Sequence, residues 1–121
     1  MENSRYKFRA WNKSQKKMYS PEEMAKDQMT LLTTGHFINC NEDLSKSTII
    51  YELIPLQYTG FKDKNGKEIY EGDVLGFYKH PKVRREIEWG FGGFDLPGNI
   101  GTNGSPWEII GNKFENPELL E

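Results

Sequence analysis

The sequence predicts a mainly β fold with one short helix, and three observations carry that expectation. Turn signals recur at short intervals over residues 54–115, among them Asn65-Gly66, Glu71-Gly72-Asp73 and Gly90-Phe91-Gly92-Gly93. The segments between them are β-branched and aromatic, as in Val74-Leu75-Gly76-Phe77-Tyr78 and Trp107-Glu108-Ile109-Ile110. A helix-start signature occurs at Ser20-Pro21-Glu22-Glu23, where Ser20 can cap, Pro21 suits the first helical position and Glu23 completes a capping box. Short strands joined by such turns form a small barrel or sandwich.

The elements follow in order. Arg5-Tyr6-Lys7-Phe8-Arg9-Ala10-Trp11 alternates with a period of two, which places Tyr6, Phe8 and Ala10 on one strand face and Arg5, Lys7, Arg9 and Trp11 on the other. Asn12 to Lys17 is polar and turns the chain, and Lys17-Met18-Tyr19 returns as a second short strand. The helix that starts at Pro21 is expected to be short, near residues 21–28, because Met29-Thr30-Leu31-Leu32-Thr33 becomes β-like. Thr34-Gly35 then forms a hairpin tip, with His36 to Cys40 returning. Ala25, Met29 and Leu32 also fit one helical face, so a longer helix through Leu32 competes with this arrangement. Asn41 to Ser47 is a polar loop. Thr48 to Ile54 is apolar, either strand or short helical turn, and Pro55 is expected to end it. Asn65-Gly66 is a strong hairpin signal, since both positions tolerate φ > 0. Lys79 to Arg85 is expected as a basic loop, Glu86-Ile87-Glu88-Trp89 as a half-buried strand, and the Gly-rich stretch after it as a hairpin tip.

At 121 residues and 14.1 kDa the chain is one domain's worth. Mean hydropathy of −0.77 and the lack of a long apolar run exclude a membrane-spanning helix. The polar first twenty residues do not resemble a secretion signal, and the one cysteine, Cys40, leaves no internal disulfide or Cys-x-x-Cys zinc site, so a reducing cytoplasm is expected. Net charge is −2, which argues against a globally basic nucleic-acid binder. The charge is split, however. Residues 1–20 carry six Lys and Arg against Glu2 alone, and residues 86–121 carry seven Asp and Glu against Lys113 alone.

Three segments together resemble one known family. They are Lys7-Phe8-Arg9-Ala10-Trp11-Asn12, then Leu56-Gln57-Tyr58-Thr59-Gly60-Phe61-Lys62-Asp63-Lys64-Asn65-Gly66-Lys67-Glu68-Ile69-Tyr70-Glu71-Gly72-Asp73-Val74, and Ile109-Ile110-Gly111-Asn112-Lys113-Phe114-Glu115-Asn116-Pro117-Glu118-Leu119-Leu120. In that order they are similar to the YopX family, small proteins encoded by phages and prophages of low-GC Gram-positive bacteria, and the likeness spans the whole chain. Two positions depart from the family pattern: Asn12 stands where Asp is usual, and Phe61 where Leu is usual. The resemblance implies an SH3-like β-barrel over residues 54–121 with a C-terminal tail, preceded by a strand, helix and hairpin subdomain over residues 1–53. It brings no enzymatic activity, so it assigns no catalytic, cofactor-binding or metal-binding residue.

The residues agree with a non-enzymatic reading. A nucleophile needs a nearby base, yet the two histidines, His36 and His80, sit far apart in sequence among ordinary strand and loop residues. His36 and Cys40 would share a strand face about 13 Å apart at ~3.3 Å per residue, and Cys40 reads better as a small buried hydrophobe. The acid pairs Glu86/Glu88 and Glu71/Asp73 can in principle hold a hard cation, but solvated strand carboxylates are far commoner. The Gly-rich stretch at 90–93 lacks the Gly-Lys-Ser/Thr end of a phosphate loop. One segment does carry partner chemistry: Lys79, His80, Lys82, Arg84 and Arg85, flanked by Phe77, Tyr78 and Trp89. Cations beside aromatic rings suit either an acidic protein surface or a nucleic-acid strand. We therefore expect a phage- or prophage-encoded accessory protein in the host bacterial cytoplasm. It needs no cofactor and does not act at a membrane. It acts by binding a host or phage protein or further copies of itself, and nucleic-acid binding through residues 79–85 is the alternative. The strand at Lys7–Trp11 is the expected open edge for self-assembly.

Overall fold

The computed structural model describes residues 6–39, 48–90, 93–100 and 104–121. The fold is mainly β with one minor α-helix, as the sequence predicts. Two compact units divide it, one comprising Lys7–Gln57 and the other containing Tyr58–Glu121.

In the first unit, β1 (Phe8–Asn12) pairs antiparallel with β2 (Lys17–Tyr19), Ala10 opposite Tyr19 and Asn12 opposite Lys17. The turn between them is held by Asn12, whose Oδ1 accepts the Gln15 N–H at 2.8 Å. An aspartate would offer the same acceptor, so the family departure at this position leaves the turn intact. Helix α1 (Pro21–Lys26) begins with the full capping box: Ser20 Oγ accepts the Glu23 N–H, and Glu23 Oε1 accepts the Ser20 N–H, both at 3.1 Å. The helix stops after two turns because Gln28 takes φ +60° and reverses the chain. The strands β3 (Met29–Leu31), β4 (Phe37–Asn39) and β5 (Thr48–Ile50) then form an antiparallel sheet with β4 central. The short helix followed by a hairpin is therefore the arrangement adopted, and the long helix through Leu32 is not. Cys40, with the loop to Ser47, lies outside the described residues. Ala10, Tyr19, Met24, Phe37 and Leu53 make this unit's core.

Pro55 does not end a strand. It lies inside β6 (Leu53–Lys62), opposite Ala10 of β1. Pairing with the next strand starts only at Tyr58, so at Pro55 the strand has one neighbour and a side on which a missing N–H costs no ladder bond. The same pairing corrects the expectation of an open edge at Lys7–Trp11. β1 lies between β2 and β6, and both of its sides are used.

In the second unit, the remainder of β6 pairs with β7 (Glu68–Tyr70). The hairpin expected at Asn65-Gly66 is present, but its turn differs from the expected one. Gly66 has φ +81°, Asn65 does not share the left-handed conformation, and the Asp63 N–H meets the Lys67 carbonyl across a three-residue loop. The reason is Asp63, whose Oδ1 accepts the N–H groups of both Asn65 and Lys67 at 2.9 Å. A second sheet has the order β12 (Trp107–Asn112), β8 (Asp73–Phe77), β9 (His80–Glu86). Trp89–Gly90 and Gly93–Phe94, as β10 and β11, form a small hairpin. A 3₁₀ helix, Pro117–Leu120, follows β12. Ile69, Leu75, Ile87 and Trp107 form the core, with Phe77, Phe94, Leu96, Ile100 and Ile109 packed against it. These strands are compatible with a small curled barrel.

Two sequence expectations change here. The basic segment is a strand, not a loop, as its pairing with β8 shows. Pro81 and the charges around it disguised this, because Pro81–Val83 form a bulge between Gly76↔Arg84 and Phe77↔His80, where no regular ladder is required. The expected strand through Trp89 breaks after Glu86. Ile87 is fully buried, while Trp89 is 58% exposed and packs edge-on against Phe94 at 4.9 Å.

Candidate binding groove beside the basic strand

Of the five basic-segment residues, four lie on β9 and Lys79 in the turn before it, and they do not share one role. Lys79, His80, Lys82 and Arg84 are exposed. The His80 ring stacks on Phe77 at 5.5 Å, and Phe77 meets Trp107 edge-on at 5.2 Å, so His80 is the outermost ring of an aromatic stack that reaches the core. The Arg84 guanidinium donates to the Pro81 carbonyl, closing the bulge on itself. Arg85 Nη2 lies 3.2 Å from Asp95 Oδ1, an exposed ion pair that neutralises one of the four formal charges locally.

Beside this strand lies an open groove of about 330 Å³. Gly76, Phe77 and Tyr78 line it from β8 and the following turn, Pro81 and Arg84 from β9, Glu108 and Ile110 from β12, and Leu119 from the 3₁₀ helix. The glycine at 76 shapes its floor. A Cβ there would stand 3.1 Å from Ile110 Cγ2, so the absent side chain is what lets Ile110 lie close over β8.

One rim of the groove is built across a long sequence distance. Asp63 is 6% exposed, and its Oδ2 accepts the Ile109 N–H at 3.0 Å. The adjacent Lys64 N–H meets the Trp107 carbonyl at 2.9 Å, and Asn65 Nδ2 donates to Glu108 Oε2 at 2.9 Å. These bonds fasten the Asn65-Gly66 hairpin to β12. They deliver Lys64 to the turn after β8, where its Nζ sits over the Tyr78 ring, 5.4 Å from the centroid. Lys79 Nζ lies at the same distance from that ring. Tyr78, 57% exposed, thus carries two ammonium groups. Lys64, Glu108, Ile110 and Leu119 carry no sequence signal that ties them to the basic segment. Only the register of β12 against β8 and the Asp63 bonds bring them there.

The order of these segments in one chain, from Lys7 to the C-terminal Asn116-Pro117-Glu118-Leu119-Leu120, matches a family model described as YopX protein over residues 7–121. The chain belongs to the YopX family. Its structure is similar to the crystal structure of protein EF1440 from Enterococcus faecalis, at 28% identity and a TM-score of 0.64, covering 95% of this chain and 97% of that one. It also shares its fold with protein yopX from Bacillus subtilis, at 16% identity and a TM-score of 0.52, with 98% and 100% covered. No curated protein matches the chain.

The other polar residues singled out in this YopX-family sequence have structural partners. Asp73 is 1% exposed, and its Oδ2 accepts the Tyr70 N–H at 2.7 Å, closing the turn through Gly72. Glu86 is ion-paired with Lys113 at 3.3 Å. His36 is exposed, near Thr34 Oγ1 and edge-on to Tyr51. Among the described residues no group of three His, Cys, Asp or Glu is placed to hold a metal ion, and no helix is long and apolar enough to cross a membrane.

Proposed function

We propose that this YopX-family chain is a phage- or prophage-encoded accessory protein of the host cytoplasm that acts by binding a protein partner, not by catalysis. The observation that carries the reading is the groove itself. It has an apolar floor of Phe77, Pro81, Ile110 and Leu119 and a few charged groups at its rim, which is the general make-up of a recognition site. The non-catalytic part is supported by the two histidines, whose contacts among the described residues are with Phe77, Tyr51 and Thr34. Further copies of the chain are one class of partner. Among the described residues β9 pairs with β8 alone and presents an open edge, the role expected of β1.

A second reading, nucleic-acid binding through Lys79, His80, Lys82, Arg84 and Arg85, is favoured by the exposure of the strand that carries them. A photo-crosslinking amino acid at position 82, next to the groove residue Pro81, separates the two in infected or lysogenic cells. One recurrent protein adduct is the expected result, and light scattering at micromolar concentration tells whether that protein is a second copy. Binding of DNA or RNA at low salt that is lost in the Arg84→Ala/Arg85→Ala variant transfers the function to nucleic acid. Neither adduct nor oligonucleotide binding overturns both readings.

A further inference from the structure

The groove has a charge asymmetry that narrows its partner. One cation, Arg84, lines it, and two more, Lys64 and Lys79, stand 5.4 Å from the ring centroid of Tyr78, itself a lining residue. The single acid in its lining, Glu108, already accepts a hydrogen bond from Asn65. The Pro81 carbonyl occupies one of the five N–H groups that a guanidinium offers, which leaves Arg84 the capacity to bind a carboxylate as well. The volume, about 330 Å³, is at the small end of ligand sites and suits one or two side chains.

We propose that the groove docks an extended acidic segment of a protein partner, seating one apolar side chain against Phe77, Pro81, Ile110 and Leu119 while flanking carboxylates meet Lys64, Lys79 and Arg84. This rests on the protein-binding reading above and names its chemistry. A nucleic-acid strand fits the same cations less well. Base stacking uses an open ring face, and at Tyr78 a base would compete with the two ammonium groups that stand 5.4 Å from the ring centroid.

The test is fluorescence anisotropy on the full chain with a short labelled peptide that carries one leucine between runs of glutamate. Saturable binding is expected. Changing the probe's leucine to alanine should weaken it about tenfold, the effect of losing most of one buried aliphatic side chain. Arg84→Ala and Lys79→Ala should each weaken it about threefold to tenfold, and high salt should do the same by screening. Ile110→Glu, which places a repelling charge on the floor, should abolish binding with the thermal melt retained. Four results overturn the proposal: no binding of the acidic probe, equal binding of a lysine-for-glutamate probe, indifference to the leucine, or a labelled oligothymidylate binding more tightly and losing affinity in Arg84→Ala. A protein adduct at position 82 together with no acidic-probe binding sinks this inference while leaving the protein-binding reading standing. Concentration-dependent dimerisation that disappears in Arg84→Ala reassigns the groove to an interface between copies and overturns it as well.

Discussion

The two units are held together in different ways. In the Lys7–Gln57 unit the side-chain devices are local, a capping box around Ser20 and Glu23 and a turn closed by Asn12, while the distant segments are joined by the backbone ladder between β1 and β6. Each of these side chains satisfies backbone groups within a few residues of itself. The Tyr58–Glu121 unit also uses a buried side chain to reach across the chain. Asp63 ties its own hairpin to Ile109, and Asp73 closes the turn before β8. Asn112 accepts the N–H groups of Phe114 and Glu115 and so directs the chain toward the 3₁₀ helix. The Asp63 bond fastens its hairpin to β12, whose Glu108 and Ile110 line the groove, while Asp73 and Asn112 fix the turns beside them. The difference teaches that a small β unit can obtain a shaped surface from a few buried carboxylates and amides.

Substitutions can break that comparison at either end. Leu75→Ala should have the largest effect, about 3–4 kcal/mol by denaturant unfolding, since Leu75 is fully buried in the C-terminal core and its loss leaves a cavity. Asp63→Ala should cost about 2–3 kcal/mol, because three N–H groups lose their acceptor in a poorly hydrated site. Asp63→Asn, which keeps one acceptor oxygen, should cost about half of that. A cost for Asp63→Ala no larger than that of an exposed turn residue would remove the contrast between the units. Gly72→Ala should cost about 1–2 kcal/mol. It combines φ +91° with a Cβ placed 2.8 Å from the Phe114 ring, and a flexible ring gives way in part.

In the N-terminal unit the effects are smaller and local. Ser20→Ala should cost about 1 kcal/mol, the usual value of a lost N-cap. Glu23 supplies the pH test. Its carboxyl is held below the ordinary value, first by the Ser20 backbone N–H and then by Lys17, whose Nζ stands 3.2 Å from Glu23 Oε2. A carboxyl lowered in the folded state contributes stability above its unfolded value and loses it as pH falls through the folded one. The gap in melting temperature between the wild type and Glu23→Gln should therefore be present at pH 7, narrow below about pH 5 and close once the carboxylate is protonated. A gap that persists at pH 2 would place the contribution in packing instead of charge. Because both groups are solvent-exposed, this is the smallest of the expected effects.

What the sequence by itself determined are the features whose physics is local. The helix start needs only Ser20, Pro21 and Glu23, the β1–β2 turn needs Asn12, and the β6–β7 hairpin needs Gly66, all within a few residues. The mainly β class and the family follow from motifs that stand in order along the chain. Other features depend on neighbours distant in sequence, and only the tertiary structure decided them. The β-like run from Met29 marked the helix as short, but that Gln28 makes the reversal at a positive φ without being glycine was not legible. Pro55 is accommodated because β7 starts its pairing three residues later, and the basic segment becomes a strand because β8 offers it an edge despite Pro81. The groove is the furthest removed from the sequence. The basic residues on its β9 side were visible as a charged run, but Lys64, Glu108, Ile110 and Leu119 reach it only through the bonds of Asp63 and the register of β12. Those contacts join residues thirty or more positions apart, and no local preference encodes them.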